Sequence, residues 1–156
     1  MKLSVTQENF AKALSNIGRV ASGRVELPIL NNILLRTDGG RLLIAATNLE
    51  IASTQYIGAK IQSPGSITIP ARLISEFIST LPSGTIDLET KDDHLHITSG
   101  KFKSVINGVI ADEFPELPTI NEDTAVRYEI ATDDLKKAVS QTILAASSDM
   151  ARAVLT

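Results

Sequence analysis

The sequence predicts an α+β fold made of two strand-helix-strands repeats, followed by the truncated start of a second such domain. Three observations support this prediction: apolar residues that alternate as in strands, apolar residues at helical spacing, and internal repeats without gaps. Hydrophobic residues make up 43% of the 156 residues, which suits a packed core. Because only 4% of the residues are aromatic, we expect that core to consist of Leu, Ile, Val and Ala.

The first repeat begins with a strand at 2–6, where apolar and polar residues alternate. A helix is predicted over 7–20, since four apolar residues recur there at helical spacing: Phe10, Ala13, Leu14 and Ile17. Three further strands, bounded by Gly, Asp and Asn turn residues, are predicted at 26–36, 41–47 and 50–60.

The second repeat has the same order of elements. A strand at 66–69 leads into a helix that begins at Pro70, a residue suited to a first helical turn, and runs through Leu81. Three strands are predicted after it, at 85–90, 94–99 and 102–110. Residues 112–124, which include two prolines, are predicted to form an extended linker. A strand predicted at 126–131 and a helix predicted at 132–146 then repeat the order of elements.

Two internal repeats define the domain organisation. At an offset of 125, residues 2–31 align without a gap with residues 127–156, and six pairs are identical, Lys12 with Lys137 among them. At an offset of 64, Phe10 and Leu14 meet Ile74 and Ile78. We therefore predict one complete domain over residues 1–120, and a linker with the truncated start of a second copy over residues 121–156.

The basic charges follow the predicted helices. Their solvent faces are rich in cations, hydroxyls and amides: Lys12, Ser15, Asn16 and Arg19; Arg72, Ser75 and Ser79; Lys136, Lys137, Ser140 and Gln141. Beyond the first helical turns only Glu76 is acidic, although the net charge of the chain is -3. A surface of this kind suits sequence-independent binding to DNA phosphates. An ordinary solvated helix face has the same composition, so the charges alone leave both interpretations open.

Residues typical of other classes of protein are missing from the sequence. There is no Cys, which removes disulfides, thiolate nucleophiles and Cys-based zinc sites and fits a cytoplasmic protein. The aliphatic runs are too short to cross a membrane. No Gly-rich phosphate loop, nucleophile elbow or HExxH motif occurs, so we predict a non-catalytic protein without a cofactor.

His94 and His96 share one face of a predicted strand, a spacing that a metal site could use. Leu95 and Ile97 occupy the inward positions, and no third ligand lies nearby in the sequence. We therefore predict solvent-facing histidines and no metal. A small hydrolase that uses one of these histidines is an alternative that predicts loss of activity on His→Ala substitution.

Four motifs in order resemble one family, the beta subunit of the bacterial replicative DNA polymerase, or sliding clamp. The motifs are Leu27-Pro28-Ile29-Leu30-Asn31-Asn32-Ile33-Leu34-Leu35, Ala46-Thr47-Asn48-Leu49-Glu50-Ile51, Gly65-Ser66-Ile67-Thr68-Ile69-Pro70-Ala71 and Asp112-Glu113-Phe114-Pro115-Glu116-Leu117-Pro118. The resemblance covers the whole chain. It implies a DNA-clamp (processivity-fold) domain, with antiparallel sheets outside and helices on one face, in a ring of three-domain chains.

The resemblance also implies roles for individual residues. Basic positions that contact duplex DNA in the family correspond to Arg24 and Arg72. Lys137 stands where the family usually has a basic residue on the first helix of the second domain, and Lys101 and Lys103 retain basic charge where the family tends to carry Arg. With the helix-face cations Lys12, Arg19 and Lys136, these residues form the predicted DNA-binding set. Ser104 departs from a common Phe, and Asp149 stands where the family can carry a polar residue that contacts DNA.

The family resemblance further implies the partners. Arg152 and Leu155 match two positions of the groove that binds short peptides of the polymerase and the clamp loader. In the intact protein, residues around 102–109 are implied to pair with the partner subunit in a head-to-tail homodimer. We therefore predict a processivity factor that encircles double-stranded DNA. The alternative is a protein-interaction adaptor that uses the clamp fold without encircling DNA.

Overall fold

The structure, a computed structural model, describes residues 1–21, 27–121 and 123–147. They fall into two units, Met1–Pro118 and Thr119–Thr156. Within these described residues, no helix is both long enough and apolar enough to cross a membrane.

The described residues of the first unit form two α-helices and nine strands. Its first half consists of β1 (Lys2–Thr6), α1 (Gln7–Ile17), β2 (Asn32–Asp38), β3 (Arg41–Thr47), β4 (Ala52–Gly58) and β5 (Lys60–Ser63). Its second half consists of β6 (Ser66–Pro70), α2 (Ala71–Thr80), β7 (Thr85–Lys91), β8 (His94–Ser99) and β9 (Phe102–Asn107). The predicted α+β class is confirmed, and β6 lies 64 positions after β1, the offset of the repeat within the domain.

Two antiparallel sheets result: β1 and β5 of the first half join the sheet of the second half, and β6 of the second half joins the sheet of the first half. The five-stranded sheet has the order β5-β1-β7-β8-β9, and the four-stranded sheet has the order β4-β3-β2-β6. All ladders are antiparallel. Four of them, β2–β3, β3–β4, β7–β8 and β8–β9, join consecutive strands with short connections, which require this orientation. This exchange ties the two halves into one folding unit.

Both helices cover the same core. Phe10, Leu14 and Ile17 of α1 are buried, as are Ile74 and Ile78 of α2, and all five belong to one cluster with the inward residues of both sheets. The three- and four-residue spacing of these side chains gives each helix one apolar stripe. The opposite side of each helix is left to solvent.

The four-stranded sheet is buried on its outer face as well. Phe114 packs there against Leu34, Leu43 and Ala45, and this separate cluster also includes Leu117. Alternate residues of β2 and β3 point to opposite faces of the sheet, so the apolar runs of these strands contribute side chains to two separate cores. The predicted extended linker is thus anchored at its start, where Ala111–Glu113 form a short 3-10 turn.

Several predicted boundaries are wrong. The first helix ends at Ile17 rather than at residue 20, with the Gly18 N–H bonded to the Leu14 carbonyl. Residues Pro28–Asn31 form a 3-10 turn, so the strand predicted from residue 26 starts at Asn32. The predicted strand at 50–60 divides near Ala59, because β4 and β5 pair in different sheets.

The second unit contains α3 (Thr132–Thr142), which lies 125 positions after α1. The strand predicted at 126–131 is absent: the structure assigns no regular element to these residues, and their side chains are exposed. The corresponding β1 is held between β5 and β7. Among the described residues after 118 no strand is present to pair with the segment 126–131, and a strand without partners in a sheet is not stable in water.

Candidate nucleic-acid interface

The exposed side of α1 carries the polar residues that its sequence predicts. Lys12, Ser15 and Asn16 are exposed, whereas Ala13 and Leu14, which lie between Lys12 and Ser15 in the sequence, are buried on the other side of the helix. Asn16 donates a hydrogen bond to Gln55 of β4 at 3.2 Å, which links this side of α1 to the four-stranded sheet. Arg19, predicted to lie within the helix, is exposed in the turn that follows it.

On α2, Arg72 and Glu76 form an ion pair one helical turn apart. Arg72 Nε donates a hydrogen bond to Glu76 Oε1 at 2.8 Å. This hydrogen bond, reinforced by the attraction of the two charges, raises the pKa of Arg72 above its ordinary value. Arg72 therefore carries its positive charge at any physiological pH. Ser79 lies one turn further along the exposed side and bonds to the Glu76 carbonyl at 2.8 Å.

The exposed sides of α1 and α2 meet along an open cavity of about 750 Å³. Its rim carries two guanidinium groups, from Arg19 and Arg72, and its floor includes Leu14 and Ala71. The end of α1 packs closely on α2, since a Cβ added at Gly18 would lie 3.6 Å from Ser75 Oγ. We call the following polar residues of α1, α2 and the turn after α1, together with this cavity, the helix surface: Lys12, Ser15, Asn16, Arg19, Arg72, Ser75, Glu76 and Ser79.

Lys101 and Lys103 lie on the five-stranded sheet rather than on the helix surface. Lys101 stands in the turn before β9, with its Nζ 5.8 Å from the centroid of the Phe102 ring. Lys103 is exposed and pairs with Thr98 of β8. Ile106 points into the core beneath the helices, so the alternation of the strand directs Lys103 to the opposite face of the sheet. The structure does not group Lys103 with the cations of the helices.

Other predicted site residues lie elsewhere or cannot be located. Lys136 and Lys137 are exposed on α3 in the second unit, and Ser140 Oγ donates to the Lys137 carbonyl at 2.8 Å. Arg24, Asp149, Arg152 and Leu155 lie outside the described residues. Ser104, which departs from the family pattern, is half-buried on β9 opposite Ile97.

The two histidines occupy β8, as predicted. His94 is exposed and His96 half-buried, whereas Leu95 and Ile97 between and beyond them are buried. Over residues 1–21, 27–121 and 123–147, no three His, Cys, Asp or Glu side chains are grouped so that they could hold a metal ion.

Two features of the site were missed by the sequence reasoning. The first is the Arg72–Glu76 pair, which the four-residue spacing of opposite charges on a predicted helix would have indicated. The second is the cavity, which depends on how α1 and α2 approach each other. No local sequence pattern encodes that approach.

The two-sheet domain has the fold of solved DNA polymerase sliding clamps. The crystal structure of the sliding clamp from Bacillus subtilis matches with a TM-score of 0.92 at 30% identity, over 100% of this chain and 43% of that chain. The sliding clamp from Caulobacter crescentus matches with a TM-score of 0.87 at 31% identity, over 96% of this chain and 40% of that chain.

Sequence comparison identifies the family. Residues 1–118 match the family described as DNA polymerase III beta subunit, N-terminal domain. The chain belongs to the DNA polymerase III beta subunit family. It is 32% identical to the beta sliding clamp of Bacillus subtilis (strain 168) over 100% of this chain, and 34% identical to that of Synechocystis sp. over 100% of this chain. It spans 43% and 42% of the lengths of these two relatives.

Proposed function

We propose that this chain supplies the N-terminal domain of a DNA sliding clamp, a processivity factor that encircles duplex DNA and tethers the replicative polymerase. The observation that carries the proposal is the helix surface, where Lys12, Arg19 and Arg72 are exposed in a member of the beta subunit family. Cations on one surface replace counterions at phosphates regardless of sequence. Such contacts position the protein on DNA without reading bases.

The proposed domain organisation follows the internal repeat. Residues 1–120 form one clamp domain, and residues 121–156 belong to the linker and the beginning of the next. The ring is a head-to-tail homodimer in the cytoplasm, whose partners are the clamp loader and the polymerase. Lys136 and Lys137 of α3 and Arg24 join the DNA-binding set, whereas Arg152 and Leu155 belong to the peptide groove.

The proposed clamp breaks or forms no covalent bond in the DNA. Retention is topological, so the phosphate contacts need only keep the duplex centred while the ring slides. Weak, exposed ion pairs suit this role, because exposed charges interact weakly in water and exchange rapidly with counterions. His94 and His96, on a sheet, have no part in it.

A chimaeric clamp tests the proposal. The first domain of the Bacillus subtilis clamp is replaced by residues 1–118 of this chain, and the ring is loaded onto nicked circular DNA with its own loader. The chimaera should stay on circular DNA and run off after the DNA is linearised. The unmodified Bacillus subtilis clamp is the matched control for loading. Equal retention of the chimaera on circular and linear DNA would contradict topological binding.

A second candidate, an adaptor that uses the clamp fold without DNA, is favoured by one observation: the net charge of -3 opposes bulk attraction to nucleic acid. An adaptor would bind partner peptides but would show no salt-sensitive affinity for duplex DNA. Titration of a labelled duplex at several salt concentrations therefore separates the two candidates.

A further inference from the structure

Glu76 is the one acidic residue among those that define the helix surface. It is the only acidic residue of α1 and α2 outside the first turn of a helix. Its side chain is 62% exposed, and that of Arg72 is 88% exposed, so both face water. The hydrogen bond to Arg72 at 2.8 Å fixes the carboxylate beside a cation of the predicted DNA-binding set.

The geometry of this contact leaves Arg72 able to bind a phosphate. A guanidinium group has five N–H donors, of which only the single one on Nε is directed to Glu76. The four donors on the two terminal nitrogens still form the planar fork that suits phosphate oxygens. A phosphate bound there shares the guanidinium with the Glu76 carboxylate, so the two negative groups lie close together.

On the basis of the proposed function, we infer that Glu76 limits the strength of the phosphate contact at Arg72 and so keeps the helix surface loosely bound to DNA. The cause is charge: the carboxylate cancels much of the guanidinium charge and repels the incoming phosphate. Two like charges about 6 Å apart in water-like surroundings change a binding constant by roughly threefold. An effect of this size changes how readily a phosphate binds to and leaves Arg72, but it does not abolish the contact.

A purely orienting role for Glu76 predicts the opposite sign. If the carboxylate mainly holds the guanidinium in a productive direction, then its loss weakens DNA binding. The Glu76→Gln substitution keeps the shape and a hydrogen-bond acceptor but removes the charge. This variant therefore separates charge cancellation from orientation.

The experiment measures the affinity of the 156-residue chain for a short labelled duplex by fluorescence anisotropy at low salt. The variants are Glu76→Gln, Arg72→Ala and the double variant. Glu116→Gln is the matched control, because it removes one exposed negative charge outside the helices. Thermal unfolding followed by circular dichroism verifies that all variants are folded.

We expect Glu76→Gln to bind the duplex about two- to fivefold more tightly than the parent chain and the Glu116→Gln control. In the Arg72→Ala background the same change should produce a smaller gain, because the paired cation is gone. Unchanged or weaker binding by Glu76→Gln, in a chain whose binding Arg72→Ala does weaken, would overturn this inference alone. Absence of DNA binding in the parent and all variants would also overturn this inference, whereas the proposed function would be overturned by the chimaera if it were retained equally on circular and linear DNA.

Discussion

Removal of two cations from the helix surface is expected to flatten the salt dependence of DNA binding. Lys12 and Arg72 are exposed on the adjacent helices α1 and α2, so a duplex lying across this surface can meet both. The Lys12→Ala plus Arg72→Ala variant should therefore lose two phosphate contacts. It should keep its fold, because neither side chain belongs to the buried core.

The size of the effect follows from counterion release. Each phosphate contact contributes about 0.9 to the slope of log affinity against log salt concentration, so two full contacts account for about 1.8. Because Glu76 lies 2.8 Å from Arg72 and cancels part of its charge, we expect the slope to fall by about 1 to 2. The difference in affinity between parent and variant should shrink by up to roughly tenfold between 50 and 200 mM salt.

The assay is fluorescence anisotropy of a labelled duplex at a series of salt concentrations. Lys60→Ala plus Lys91→Ala is the control, since it removes two exposed positive charges from strands β5 and β7 instead of the helices. The control should lower affinity less and leave the slope nearly unchanged. If both double variants have the same slope, the helix surface is not the site of phosphate contact.

Three further predictions concern the stability of the domain. Phe114→Ala should lower the free energy of unfolding by about 2–4 kcal/mol, because the ring is buried against Leu34 and Leu43; a change below 1 kcal/mol in urea unfolding would refute the anchoring role. Gly108→Ala should cost about 1–3 kcal/mol, since the added Cβ would lie 2.6 Å from the Thr68 carbonyl; an unchanged melting temperature would contradict this. Asn48→Ala should lower the free energy of unfolding by about 1–2 kcal/mol, because the Asn48 side chain accepts hydrogen bonds from two backbone N–H groups in the β3–β4 turn. The control is Asn→Ala at the exposed Asn9, which should have a smaller effect.

Local periodicity was sufficient to predict most elements of the first unit. Strands β1, β3 and β8 have the predicted bounds, and Phe10, Leu14 and Ile17 form the predicted buried stripe of α1. Amphipathic patterns encode which side of an element is buried, and that information is contained in a few consecutive residues. The exposure of Lys12 and Arg72 follows from the same patterns.

Pairing between distant segments was beyond the reach of these patterns. The interruption between β4 and β5 depends on which sheet each strand joins, and the burial of Phe114 depends on the outer face of β2 and β3. Residues 126–131 show the same limit: their alternation predicts a strand, but a strand needs a partner.

The sequence by itself determined the α+β class, the repeat of its elements and the basic, hydroxyl-rich side of each helix. Only the tertiary structure decided that strands of each half join the sheet of the other half, and that α1 and α2 meet along a cavity with Arg19 and Arg72 on its rim. The physical reason is the range of the interactions. Hydrophobic periodicity acts within one element, whereas sheet order and helix contacts depend on backbone hydrogen bonds and packing between residues far apart in the chain.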